Sequence, residues 1–190
     1  MKSYFGSNVK IYGVDINPDC LKLREDQIDI LIADQDDKSS LQKIVNQIPD
    51  IDIFIDDGGH TMKQQINTFD VFYEKVKKDG VYICEDLHTS YWKSHFGGYK
   101  NRRSFIEFSK GLIDHIHAWH SQQPKKLKIT DLTKSIYGLH FYDCILVIEK
   151  RHMSPPFDSQ TGHESTKQYL LPLKKRVKLK LKRLFFSWFQ

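Results

Sequence analysis

The segment Ile51-Asp52-Ile53-Phe54-Ile55-Asp56-Asp57-Gly58-Gly59-His60 decides the fold of this sequence. It is a β-branched apolar run that ends in carboxylates and is followed by a glycine pair and a histidine. An apolar run of this length is typical of a strand that is buried on both faces of a sheet. Similar runs at residues 9–15, 28–33 and 80–86 predict further strands of the same sheet.

Helical patterns lie between these runs. Residues 62–76 place apolar side chains on one stripe after Thr61, a good N-cap, and residues 104–119 predict another helix. Strands that alternate with helices indicate an α/β fold with a mostly parallel sheet. Residues 135–142 and 144–150 are adjacent β-rich runs, which predict a C-terminal antiparallel strand pair.

Length and charge predict one domain with a tail. The 190 residues divide into a domain at 1–150, a polar linker at 151–170 and a basic amphipathic tail at 171–190. The tail alone carries seven basic residues, more than the net charge of +5, so the domain itself is mildly acidic and poorly suited to track a nucleic-acid backbone. We therefore expect no specific nucleic-acid partner.

Three widely spaced cysteines, Cys20, Cys84 and Cys144, predict neither a disulfide framework nor a zinc site. No signal-peptide pattern and no long uncharged apolar run stands out. These features favour a cytoplasmic location.

Polar residues at the carboxyl ends of parallel strands are the first candidates for ligand binding, because ligands bind beyond that edge of an open sheet. Asp15 stands where a carboxylate accepts hydrogen bonds from the hydroxyls of a nucleotide ribose, although a helix cap is the alternative. Asp34 and Gln35 could contact an adenine edge, and a solvated turn is the equally weighted alternative.

Two further strand ends carry acidic residues that should converge. Asp57, Glu85 and Asp86 would bring three oxygen donors together, a set that suits Mg²⁺ or Mn²⁺ better than zinc. The alternative is a set of separate caps and surface charges. His60 is a candidate general base because imidazole gains and loses a proton near neutral pH; a residue at a helix start and a neutral metal ligand are its alternatives.

An aromatic loop with Gly97-Gly98 follows the second acidic pair. His88, Tyr91 and Trp92 in this loop could form a surface on which a sugar ring stacks. The alternative is that Tyr91 and Trp92 pack under the loop.

Taken together, these motifs resemble those of the metal-dependent sugar O-methyltransferases. The resemblance covers residues from about 4 to 150 and rests on these stretches: Lys10-Ile11-Tyr12-Gly13-Val14-Asp15-Ile16-Asn17-Pro18, Ala33-Asp34-Gln35, Ile55-Asp56-Asp57-Gly58-Gly59-His60, Glu85-Asp86-Leu87-His88-Thr89-Ser90-Tyr91-Trp92 and His140-Phe141-Tyr142-Asp143. The resemblance implies a Rossmann-like class I fold, S-adenosylmethionine as methyl donor and a sugar-containing acceptor.

The resemblance also implies roles for individual residues. His60 matches the catalytic base, which removes a proton from an acceptor hydroxyl whose pKa Mg²⁺ lowers. The metal ligands it implies are Asp57, Glu85 and Asp86, and the cofactor-binding residues are Asp15, Asp34, Gln35 and Asp56.

The sequence departs from this family at its start. Nothing before Val9 resembles the first strand and glycine-rich loop that cradle the methionine part of the cofactor. We therefore expect an N-terminally incomplete sheet with a gap between the strands that end at Asp15 and Asp57. A catalytically incomplete remnant that binds a membrane or a partner is thus the alternative function, and methylation of a small phenolic compound is a further one.

The tail carries an apolar stripe that includes Leu173, Val177, Leu181 and Trp188, with basic residues on the remaining face. A basic amphipathic helix is typical of an element that binds an anionic membrane surface, which would make the protein peripheral at the inner face of the membrane. A helix packed on the domain, a disordered end and RNA binding are the alternatives. The sequence also leaves a homo-oligomer open.

Overall fold

A computed structural model of the chain describes residues 1–163 and 170–187. Part of the predicted linker and Trp188, which the sequence places on the apolar stripe of the tail, lie outside the described residues. Residues Met1–Pro156 form one compact unit and Phe157–Gln190 a second.

The first unit is an α/β domain, which confirms the predicted fold class. Its strands are β1 (Ile11–Asp15), β2 (Ile28–Ile32), β3 (Ile51–Asp56), β4 (Val76–Cys84), β5 (Ile136–Tyr142) and β6 (Ile145–Lys150). Its helices are α1 (Lys2–Phe5), α2 (Lys38–Val45), α3 (Met62–Phe72) and α4 (Phe105–His117). The second unit contains α5 (Leu173–Ser187).

The strands form two separate hydrogen-bonded sheets. Strand β1 pairs with β2 in parallel, and a four-stranded sheet has the order β3-β4-β6-β5. Strands β3 and β4 are parallel, whereas β6 is antiparallel to both β4 and β5. Within residues 1–163 and 170–187, no strand pairs with the second edge of β1 or of β3, so the sheet is divided at this position.

The helices cover one face of the four-stranded sheet. Phe54 of β3 stacks on Phe72 of α3 and on Tyr82 of β4, with ring centroids 5.0 and 4.9 Å apart. Phe54 packs against both apolar clusters of the domain and so joins them. The neighbouring residues of β3, Ile53 and Ile55, point to the other face and remain 45% and 39% exposed. The core therefore lies on the α3 and α4 side of the sheet.

The prediction of a helix over residues 62–76 was wrong at its C-terminal end. Helix α3 ends at Phe72, a 3-10 turn follows, and β4 already begins at Val76, which pairs with Ile51. The ammonium group of the buried Lys150 donates hydrogen bonds to the carbonyl oxygens of Tyr73 and Val76, at 2.7 and 2.6 Å. These bonds from a distant strand hold the chain in the turn, and no local periodicity reveals them.

Candidate functional site

The loop after β3 turns sharply before α3. A side chain at Gly58 would collide with the amide group of Gln35 and displace it from this loop. His60 has a φ of +56°, which is uncommon for a residue other than glycine and often marks a functional site. Thr61 and Gln64 then form a reciprocal capping box at the start of α3. This cap fixes where the helix begins and therefore where His60 lies.

The loop after β4 is held against the first loop. Asp86 has a φ of +54°, again in the left-handed region. The hydroxyl group of the buried Thr89 lies 2.9 Å from the carbonyl oxygen of His60 and 2.8 Å from that of Asp86. The Thr89 side chain thus links His60 and Asp86, the two residues with left-handed backbone conformations. The motifs of the sequence gave no indication of this role, because the contact joins residues that are far apart in the chain.

Three side chains from the two loops converge. The imidazole Nε2 of His60 lies 3.4 Å from a carboxylate oxygen of Asp86 and 3.8 Å from one of Asp57. One ligand atom of each residue lies within 4.8 Å of the others, a spacing that could hold a metal ion. The two carboxylates, with water in the remaining positions, supply the oxygen donors that suit Mg²⁺ or Mn²⁺. A cation would also relieve the repulsion between the carboxylates.

Glu85 is not among the side chains of this convergent group. Its backbone is fixed on both sides, since its N–H donates to the carbonyl oxygen of Asp56 at 2.9 Å and its carbonyl accepts from Gln65 at 3.1 Å. The structure therefore places Glu85 at the carboxyl end of β4, beside the cluster, and its predicted role as a ligand stays a prediction.

The carboxyl group of Asp56 is buried and closely bound by protein groups. It accepts a hydrogen bond from the Gln35 amide at 2.6 Å, and Gln35 also contacts Thr68 and the N–H of Gly59 at 2.9 and 2.8 Å. Both polar atoms of Gln35 are therefore engaged within the protein. Gln35 thus ties the end of β2 to the loop that carries Asp57 and His60. Contact of Gln35 and Asp56 with the cofactor stays a prediction.

We expect Asp56 to make stability dependent on pH. Burial is the main cause that raises the pKa of this carboxyl group to about 7; the Asp57 carboxylate contributes to the rise, and hydrogen bonds from Gln35 and the Gly58 backbone oppose it. The pKa of this group in an unfolded chain is about 3.9. Its protonated form therefore contributes its full stabilisation of the folded state below that pH, and this contribution is lost as the pH rises to about 7. Urea unfolding in the presence of a chelator should show a free energy that falls by up to about 1.4 kcal/mol per pH unit over this range.

The matching control is Asp56→Asn, which removes the titrating group and keeps the size of the side chain. This variant should lose that part of the pH dependence, and an unchanged slope would show that Asp56 is already ionised at low pH.

Asp15 ends β1 and Asp34 follows β2, and the neighbouring Gln35 bonds to Asp56 and Gly59 after β3, so both acids lie at the carboxyl ends of their strands, as the cluster does. Each carboxylate accepts a hydrogen bond from the backbone two residues later, at 2.7 Å from Asn17 and 2.8 Å from Asp36. These bonds stabilise the turns and orient both carboxylates. The positions agree with the prediction of a ribose-binding and an adenine-binding acid, and the roles themselves stay predictions.

The aromatic loop lies beside Asp86. The imidazole ring of His88 meets the Trp92 ring edge-on, with centroids 4.6 Å apart, and its Nδ1 lies 3.9 Å from the Asp86 carboxylate. Tyr91 and Trp92 are 52% and 48% exposed, so neither ring is packed away under the loop. The buried Nδ1 of His88 has no hydrogen-bond partner among the described residues. The exposed rings of Tyr91 and Trp92 are thus the part of this loop that is accessible to a ligand.

Comparison with known proteins connects this geometry to a family. A scan against protein-family models finds no match. The chain is 36% identical over 155 residues to 8-demethyl-8-alpha-L-rhamnosyl tetracenomycin-C 2'-O-methyltransferase of Streptomyces olivaceus, covering 79% of this chain and 39% of that protein. It is 32% identical over 155 residues to mycinamicin VI 2''-O-methyltransferase of Micromonospora griseorubida, covering 78% of this chain and 38% of that protein.

Comparison of the fold with solved structures indicates the same relationship. A solved structure of the MycE methyltransferase in complex with Mg, SAH and mycinamycin VI matches with a TM-score of 0.68 at 28% identity, over 75% of this chain and 36% of that one. The chain is a homologue of sugar O-methyltransferases. The predicted family resemblance and the mostly parallel sheet with a C-terminal antiparallel pair are thereby confirmed.

The sugar O-methyltransferases are considerably longer than the part matched here. The chain spans less than two fifths of the length of these relatives. In the solved relative, Mg and SAH are bound together, which accords with the predicted pair of cofactors.

Proposed function

We propose that this chain carries the site of an S-adenosylmethionine-dependent O-methyltransferase that acts on a sugar hydroxyl of a glycan or a glycosylated natural product. The observation that carries this proposal is the convergence of Asp57, His60 and Asp86 at the carboxyl edge of the sheet. Relatives of the chain are named as methyltransferases of rhamnosyl and macrolide sugars, which supports the sugar acceptor.

The proposed metal ligands are Asp57 and Asp86, with Glu85 completing the set that the family resemblance implies. Mg²⁺ or Mn²⁺ held there would supply positive charge that makes an acceptor hydroxyl more acidic. For the methyl donor, the proposed contacts are Asp15 with the ribose hydroxyls and Asp34 with the adenine edge, supported by Gln35 and Asp56. These residues lie at the carboxyl ends of β1, β2 and β3, and Gln35 connects the end of β2 to the loop that carries Asp57 and His60.

His60 is the proposed general base. The imidazole accepts the proton of the acceptor hydroxyl while the oxygen forms a bond to the methyl carbon and the bond from that carbon to sulfur breaks. The products are a methyl ether and S-adenosylhomocysteine, and the proton remains on His60 until water removes it. The Asp57 and Asp86 carboxylates lie 3.8 and 3.4 Å from Nε2 of this ring.

The proposed acceptor surface is formed by His88, Tyr91 and Trp92. The exposed rings of Tyr91 and Trp92 can pack against the C–H faces of a sugar. Such contacts would place the sugar next to Asp86 and His60, where positioning alone contributes much of the rate acceleration.

The test is transfer of a labelled methyl group from S-adenosylmethionine to a panel of rhamnosides and macrolide glycosides, with Mg²⁺ or with a chelator. We expect methyl ether formation with Mg²⁺ and its loss with chelator. Methylation of a catechol in place of every sugar would favour the phenolic acceptor.

A catalytically incomplete remnant is the second candidate, and the divided sheet between β1 and β3 favours it. Such a protein would bind a membrane or a partner through its tail. Folded protein with no methyl transfer to any acceptor, and with vesicle binding that tolerates Asp57→Ala and His60→Ala, would support this candidate.

We also propose a peripheral location at the inner face of the membrane. None of the described helices is long and apolar enough to cross a bilayer. What supports surface binding is α5, whose apolar and basic side chains are both exposed. A homo-oligomer stays a prediction.

A further inference from the structure

Helix α5 carries an apolar stripe along one side of its axis, with Lys174 at its margin and Leu179 on the opposite side. At about 100° per residue, Leu173, Val177, Leu181 and Phe185 fall within one third of the circumference. All four are exposed, by 74%, 49%, 61% and 66%. An exposed stripe of four large apolar side chains is typical of a surface that binds a protein or a membrane.

The charge of α5 indicates the chemical character of its binding partner. No Asp or Glu follows Glu164, while the sequence of α5 contains seven basic residues: Lys174, Lys175, Arg176, Lys178, Lys180, Lys182 and Arg183. The partner therefore has an apolar interior and an anionic surface. A nucleic acid supplies the charge but offers nothing to an aliphatic stripe of this length.

We propose that α5 lies in the plane of an anionic lipid surface, with the stripe among the acyl chains and the lysines at the phosphate groups. Fifteen helical residues span about 22 Å, which is too short to cross a hydrocarbon core of about 30 Å. Lysine side chains beside the stripe can extend their charged ends back to the head groups. This inference deepens the membrane location proposed above and does not depend on methyl transfer.

The chain provides a matched control for this surface. Leu179 is exposed by 48%, yet it lies about 200° from both Val177 and Leu181, on the opposite side of the helix. Leu181→Gln and Leu179→Gln are therefore the same chemical change on two faces of one helix. Only the first removes a side chain from the stripe.

The experiment is co-sedimentation of the full chain with vesicles of phosphatidylcholine alone or with about one third phosphatidylglycerol, a composition chosen to test charge. We expect binding to the anionic vesicles, at least about tenfold weaker binding to the neutral ones, and a decrease as NaCl is raised. Leu181→Gln should weaken binding about tenfold, and Leu179→Gln should leave it within about twofold.

Several outcomes would overturn the inference. Equal binding to neutral and anionic vesicles would show that charge does not contribute to binding. Equal losses of vesicle binding in Leu181→Gln and Leu179→Gln would show that the stripe does not contact the lipid. Displacement of the chain from vesicles by an equal phosphate concentration of RNA would make nucleic acid the partner. A failure here leaves the methyl transfer assay unaffected, so the two proposals fail separately.

Discussion

Asp86→Asn should lower methyl transfer by about 100-fold or more, since it removes a carboxylate from the proposed metal site. Asparagine has the same shape as aspartate and tolerates the positive φ of this position, so the backbone and the fold should be retained. The loss is expected because neutral oxygen binds Mg²⁺ much more weakly than a carboxylate does. The measurement is the rate of labelled methyl transfer at several Mg²⁺ concentrations.

The control for this prediction is Asp114→Asn, on the exposed side of α4. It makes the same chemical change away from the cluster and should leave the rate unchanged. Partial rescue of Asp86→Asn by high Mg²⁺ would strengthen the assignment, whereas a rate equal to that of wild type would show that Asp86 does not hold the metal.

His60→Asn should reduce methyl transfer by about 10²–10⁴-fold, which is the usual effect of removing a general base. Asparagine again tolerates the left-handed backbone of this residue. In the wild type the rate should fall with decreasing pH, because a protonated imidazole accepts no proton. The variant should lose this dependence.

The Mn²⁺ affinity of the His60→Asn variant distinguishes a general base from a metal ligand at this position. If His60 is the base, His60→Asn keeps the Mn²⁺ affinity within about threefold, but if it is a ligand the affinity falls by at least about tenfold. His117→Asn, an exposed histidine at the end of α4, serves as the control. A variant with wild-type rate and affinity would exclude both roles.

The sequence predicted the parts of the fold that depend on local pattern. Apolar runs located β1, β2, β3 and the antiparallel pair, because strands of a buried sheet need continuous apolar residues. The acidic motif after β3 and the one after β4 were expected to converge, because parallel neighbours end at one edge of a sheet. The structure places Asp57 and Asp86 at that edge, on either side of His60.

Contacts between distant residues were beyond the reach of sequence patterns. The bond of Gln35 to Asp56 and the position of Thr89 between the two loops depend on the packed fold, and neither has a spacing that would reveal it. The end of α3 was misplaced for the same reason, since Lys150 from the last strand of the domain holds the turn there. The acidic loops could thus be predicted, and the groups that support them could not.

The claim that the two loops form one divalent-metal site is tested most directly by titrating the purified chain with Mn²⁺ and following the paramagnetic resonance signal of the free ion. We predict one bound Mn²⁺ per chain, displaced by Mg²⁺ and absent in Asp57→Asn. A folded chain that leaves Mn²⁺ free at millimolar concentration, or that binds it equally well after Asp57→Asn, would contradict the account.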